Sequence, residues 1–191
     1  MKIAQTIVAL ALLAVSTARG EVVDSLDLYM HAGDSCMQQY NTFEALKHYQ
    51  CAFELSDVVA TRTKLADCYY KRANYRQAAE LLKNVPEDSL SHDAFREIAL
   101  GYQKQGDLDS YIYWATQLVE RYPMDGEIVA GLTLALAQKN QPDKGLIYGL
   151  NYSLHDMNNV LVNRAVADAY FLNRDFSAAS VWYEGLMQQG R

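Results

Sequence analysis

The sequence has few of the residues that mark a catalytic or metal-binding protein. It holds three cysteines, Cys36, Cys51 and Cys68, with no Cys-x-x-Cys pair, and four histidines with neither a His-Glu-x-x-His nor a paired-His spacing. His48 and Cys51 stand at i, i+3, yet no second ligand pair accompanies them, so no metal site is expected. No Gly-rich phosphate loop and no Gly-x-Ser-x-Gly elbow occurs, and His31, His92 and His155 are scattered without an evident carboxylate partner. Neither an enzyme nor a cofactor is indicated. Basic residues are also short, 17 against 23 acidic, with no cluster among them. Nucleic acids and anionic lipids need dense Lys and Arg, so neither is an expected partner. After residue 20 no apolar run is long enough to cross a bilayer.

What is present begins with the N-terminus. Lys2 precedes a mostly apolar run from Ile3 to Val15, followed by the small residues Ser16, Thr17, Ala18 and Gly20 around Arg19. A basic start, a short apolar stretch and a small-residue region describe a secretory signal peptide over residues 1–20. Cleavage after Ala18 or after Gly20 fits equally. Removing those residues leaves 15 basic against 23 acidic, a net charge of −8. The chain is then expected to cross the inner membrane and work in the periplasm or outside the cell. There one pair of cysteines could close into a disulfide and leave an odd thiol. Cys36 falls on a core position and is expected to be a small buried hydrophobe, while Cys51 and Cys68 lie beside core positions.

The remainder, 21–191, is periodic. Phe43 to Tyr49, Tyr75 to Leu82 and Phe176 to Tyr183 each run from an aromatic to a small residue to a larger apolar residue. Anchored on that small residue, the series is Ala45, Ala78, Tyr111, Gly145 and Ala179, with steps of 33, 33, 34 and 34. Upstream of each anchor a second set recurs at i, i+3, i+4, i+7, as in Phe95, Ile98, Ala99 and Tyr102, which is one face of a helix. Each period is therefore two helices. The boundaries fall near 26–58, 59–91, 92–125, 126–159 and 160–191. Pro86, Pro123 and Pro142 all lie between predicted helices, where a missing N–H does no harm. Asn41, Asn74, Gly106, Asn140 and Asn173 mark the hairpin turns, since Asn and Gly accept the left-handed backbone that ends a helix. Asp57, Asp93 and Asn159 are expected to cap the helices that follow them. Many of the 14 tyrosines sit on this lattice, and packing accounts for them.

This pattern resembles the tetratricopeptide repeat, most fully from Ile98 to Pro123, where Ala99, Tyr102, Gly106-Asp107 and Pro123 match the family's offsets. The resemblance covers nearly all of the chain after the signal. It implies an all-α, right-handed solenoid of about five helical hairpins. Two repeats depart from the pattern. Tyr111 stands where a small residue is usual, with Ala115 one turn later, so large and small are exchanged. Gly145 and Gly149 lie one turn apart, which fits either a close-packed hairpin padded by Tyr148 and Tyr152 or a hinge.

Solenoids of this kind line a concave channel with their first helices, and the resemblance implies a protein or peptide partner there. Carried over by offset, the channel residues include Met30, Asp34, Met37, Asp67, Tyr70 and Lys71, then Arg96, Gln103, Arg164, Asp168 and Phe171. The Lys and Asn clamp that some relatives use for a terminal carboxylate is absent, because Met30, Thr63 and Arg96 occupy its positions with Asp34, Asp67 and Leu100. The channel is expected to be acidic near its N-terminal end and apolar toward Phe171. The reading is a non-catalytic scaffold; the alternative is a ligand-sensing input module of a larger envelope signalling system. The last helix carries Val181, Trp182, Leu186 and Met187 with no capping helix after it. Self-association, a covering partner or a longer parent protein would each account for that.

Overall fold

The computed structural model describes residues 23–189; the expected signal peptide and its cleavage positions lie outside them. All regular structure among the described residues is helical, and none of these helices is long and apolar enough to cross a membrane. The chain divides into two compact units, one ending at Ser89 and the other beginning at Leu90.

The first unit holds helix α1 (23–38), α2 (Thr42–Leu55), α3 (Val59–Lys71) and α4 (Tyr75–Leu82), followed by a 3-10 turn at Glu87–Ser89. Its core gathers Ala45 and Tyr49 of α2 with Leu65 and Cys68 of α3. Tyr49 is 1% exposed, and burial of a side chain of that size against Leu65 stabilises the unit by about 1.5–3 kcal/mol per residue. Small side chains set the spacing: Ala45, Ala52, Ala66 and Ala78 are all fully buried, so no Cβ branch keeps the helices apart.

The second unit holds α5 (His92–Gln105), α6 (Leu108–Arg121), α7 (Gly126–Gln138), α8 (Pro142–Ser153), α9 (Val160–Leu172) and α10 (Phe176–Gln189). They pair as the hairpins α5–α6, α7–α8 and α9–α10, and the hairpins stack through α6–α7, α7–α9 and α8–α9. Gly145 and Gly149 settle the character of the α7–α8 hairpin as close packing. A Cβ at Gly145 would lie 2.5 Å from the backbone oxygen of Thr133, and one at Gly149 would lie 2.6 Å from a Val166 methyl. Tyr152 is buried with its hydroxyl against Gly126 and Asn159, while Tyr148 is half-buried.

Tyr111 is fully buried, and the exchange of large for small is answered on the next first helix. A Cβ at Gly131 of α7 would come within 2.0 Å of the Tyr111 hydroxyl. Glycine is needed there for space, not for backbone freedom. The hydroxyl itself has no hydrogen-bond partner, and neither does the buried hydroxyl of Thr133.

All five hairpin turns share one device. Tyr40, Ala73, Gly106, Asn140 and Arg174 have φ of 58°, 60°, 76°, 59° and 61°, and their spacing repeats the steps of the anchors. The next residue then opens the second helix. Asn41, Asn74, Asp107 and Asp175 each accept the backbone N–H three positions on, satisfying an N–H that the helix leaves free. The left-handed residue is thus the one before the expected Asn41 and Asn74, the one after the expected Asn173, and the expected residue itself at Gly106 and Asn140. Tyr40, Ala73 and Arg174 take the strain so that the polar residue can cap.

Two of the expected first-helix caps are elsewhere. Asn159 does cap α9, accepting from the Val162 N–H at 3.2 Å. Helix α5 is capped by Ser91 rather than Asp93, with the Ala94 N–H at 3.2 Å. Helix α3 has Val58 rather than Asp57 at its N-cap, and the Val58 N–H donates to the Thr61 hydroxyl at 3.1 Å. Asp57 instead receives two bonds from the Arg62 guanidinium, at 2.5 and 2.6 Å. Cys68, not Cys36, is the fully buried cysteine; Cys36 and Cys51 are half-buried, and all three are free thiols.

Candidate functional site

In the first unit the first-helix row starts with Met30 and Met37, which pack against the core cluster and are partly covered by it. Asp34 lies between them on α1. The Tyr49 hydroxyl donates to its Oδ1 at 2.7 Å, and the Lys64 ammonium approaches the same oxygen at 2.7 Å. Burial works to raise the Asp34 carboxyl, but the lysine and the phenol outweigh it and hold it below the ordinary value. Tyr49 is driven the other way, its phenol raised by burial and by the adjacent carboxylate. On α3, Asp67 pairs with Lys71 at 2.7 Å, and Tyr70 meets Tyr75 edge-on at 5.2 Å. Both carboxylates expected to make this end acidic are therefore compensated by a lysine.

In the second unit a polar cluster joins α5 to the start of α7. The Arg96 guanidinium donates to both oxygens of Asp125 at 2.5 Å and also to Glu127. His92 Nε2 lies 2.8 Å from Asp125 Oδ2, and its ring meets Tyr122 edge-on at 4.6 Å. Asp125 also caps α7 by accepting from the Ile128 N–H at 3.3 Å. Its side chain is only 5% exposed. Burial pushes the Asp125 carboxyl up, and the Arg96 guanidinium, the Ile128 N–H and His92 together outweigh it, leaving the carboxyl below its usual range. Asp125 carried no expectation, and His92 proves to have a carboxylate partner after all. A clue lay in Asp125-Gly126 at the head of an apolar run, which is an N-cap signature.

Farther along, Gln103 is exposed, its amide close to the space that Gly131 leaves open. Arg164 is exposed on α9. Asp168 accepts from the Tyr183 hydroxyl at 2.5 Å, and that bond, with burial second to it, pushes the Tyr183 phenol up to about 12. Phe171 stays 53% exposed and meets Phe176 edge-on at 5.4 Å. The structure thus brings Arg96 to Glu127 on the next first helix and leaves Arg164 and Phe171 exposed. Among the described residues no group of three His, Cys, Asp or Glu is placed to hold a metal ion.

Clefts lie within each unit where consecutive second helices meet. In the first unit a cleft of about 450 Å³ lies among α2, α3 and α4. In the second unit two smaller clefts, of about 250 and 320 Å³, lie between α6 and α8.

Hairpins with a small-residue lattice, a left-handed turn every 33 or 34 residues and capped second helices define the tetratricopeptide-repeat fold. Solved structures agree. A crystal structure of the MamA protein is 16% identical, with 87% of this chain and 92% of that chain covered and a TM-score of 0.78. The corresponding figures for YrrB, described as a TPR protein with an unusual peptide-binding site, are 16%, 84%, 84% and 0.75. A MamA segment from Desulfovibrio magneticus RS-1 is 15% identical, with 88% and 96% covered and a TM-score of 0.76. No family model matches the chain, and no curated protein matches it. Identities this low establish the fold and nothing further.

Proposed function

We propose that this chain is a non-catalytic scaffold that binds a peptide or partner protein along the exposed rows of its first helices, outside the cytoplasm. The observation that carries the reading is how those rows are held. Asp34, Arg96 and Asp168 are each fixed by a side chain of another helix, while Arg164 and Phe171 remain open. A surface ordered before contact loses less side-chain freedom on binding, which favours recognition of a partner. The sequence of residues 1–20 supports export, and the peptide-binding site of YrrB supports peptide recognition by this fold.

Two experiments test the reading. The full chain is used as bait in an envelope extract and compared with the double variant Arg164→Glu, Phe171→Ala. A partner retained by the native chain and lost by the variant, with unchanged melting of both, is the expected result; equal retention overturns the assignment of the rows. For export, a fusion to a reporter active only outside the cytoplasm should be active with residues 1–20 and inactive without them. Activity independent of those residues overturns export.

A further inference from the structure

The cleft among α2, α3 and α4 belongs to none of the first-helix rows. Phe53, Leu65, Tyr69 and Leu81 give it an apolar floor; Arg62 lies over the Phe53 ring and donates to the Leu81 carbonyl oxygen at 3.3 Å, and the exposed Glu54 and Glu80 line its mouth. The charges there are not equivalent. Arg62 is committed to Asp57 at 2.5 and 2.6 Å, and Glu80 pairs with Lys83 at 2.5 Å. Glu54 is exposed and has no ion pair among the described residues. The mouth therefore keeps one uncompensated negative charge above an apolar floor.

The second unit shows why this cleft is open. Shifted by 66 or 67 residues, Phe53 corresponds to Val119, Glu54 to Glu120 and Leu81 to Tyr148. Tyr148 lines both of the smaller clefts there. Leu81 is shorter, and the first unit retains one cleft of about 450 Å³. That size lies within the roughly 300–1,000 Å³ of ligand-binding pockets.

We propose that the α2–α4 cleft is a docking site for a peptide segment of a partner protein, which seats a Leu or Phe side chain on the floor and places a neighbouring Lys or Arg against Glu54. Charge complementarity selects this occupant over an acidic or purely apolar segment. The site does not depend on the first-helix rows, and either surface can fail without the other.

The probe is a fluorescein-labelled peptide, Lys-Leu-Phe-Lys, titrated against the full chain by fluorescence polarisation at low salt. Saturable binding is expected, weakened about fivefold by Glu54→Lys, the scale of an exposed ion pair. Leu81→Tyr, which copies the second unit, should abolish it, and Asp67→Lys on the first-helix row should leave it unchanged. A peptide with Glu in place of both Lys should bind more weakly. Absence of saturable binding, indifference to Glu54→Lys, equal binding of the Glu peptide, or loss in Asp67→Lys alone overturns the proposal. Phenylalaninamide binding as tightly as the tetrapeptide also overturns it, in favour of a small-molecule site. If Leu81→Tyr melts early, Glu54→Lys, an exposed position, decides alone.

Discussion

The Tyr183 hydroxyl bonds to the carboxylate of Asp168, fifteen residues earlier, as that of Tyr49 does to Asp34. In each case the phenol reaches from the second helix of a hairpin to the outward row of the first. The recurrence of aspartate at this offset thus has a packing cause in two of its three occurrences; Asp67 has Leu82 at the corresponding position and pairs with Lys71 instead.

Tyr49→Phe should lower stability by about 1.5–3 kcal/mol, the range for a hydrogen bond to a charged group. Asp34→Asn should cost less, because the amide oxygen still accepts. A double-mutant cycle of Tyr49→Phe with Asp34→Ala, which removes the acceptor, checks this by urea denaturation, and additive losses would mean that the bond contributes nothing.

Gly131→Ala places a methyl against the Tyr111 hydroxyl and should destabilise by about 1–3 kcal/mol, despite the roughly 1 kcal/mol that alanine adds to helix propensity. Tyr111→Phe should be neutral or stabilising alone, since it removes a buried hydroxyl without a partner. Combined with Gly131→Ala it should recover much of the loss. Thermal melting of the three variants is the measurement.

Acid should weaken the second unit through Asp125. Its carboxyl is held below the ordinary value in the folded chain, so its stabilising contribution is complete above the unfolded pKa, near 4, and fades as pH falls through the lower folded value. Asp125→Ala should cost about 1–3 kcal/mol at neutral pH, because α7 loses its cap and Arg96 is left with Glu127 alone. The variant should also show a flatter loss of stability below pH 4, as followed by denaturant midpoints across pH.

The unfolded chain should titrate as three thiols without reductant, since all three cysteines are free. In the folded chain Cys68 should react last. It is fully buried, its Sγ contacts the Thr42 carbonyl oxygen at 3.3 Å, and burial pushes its thiol up. Fewer than three thiols after denaturation would reveal a disulfide.

The all-α hairpin fold was readable because small residues at a fixed offset permit close helix approach, and that requirement is local to each repeat. The accommodation of Tyr111 was not, because its partner Gly131 is on the next first helix, twenty residues on. Asp125 was missed for the same reason: its bonds to Arg96 and His92 span 29 and 33 residues. The cap at Ser91 lies two residues from Asp93, because several polar residues crowd that helix start and sequence alone does not rank them; at α3 the Arg62 guanidinium holds Asp57, and the apolar Val58 takes the cap position. Asp34 looked like a solvent-facing acid because its offset fixes the face of α1 but says nothing of the phenol below it.

The left-handed turn residues have a consequence for engineering. Four of the five carry a side chain where glycine would be unstrained, at a cost of about 1–2 kcal/mol each for a residue other than glycine, less for asparagine. Tyr40, Ala73 and Arg174 are all exposed, so their side chains return little by packing. The described residues hold five nearly identical hairpin joints, and each of the four that lack glycine can be tightened by a single residue without touching a core or a cap.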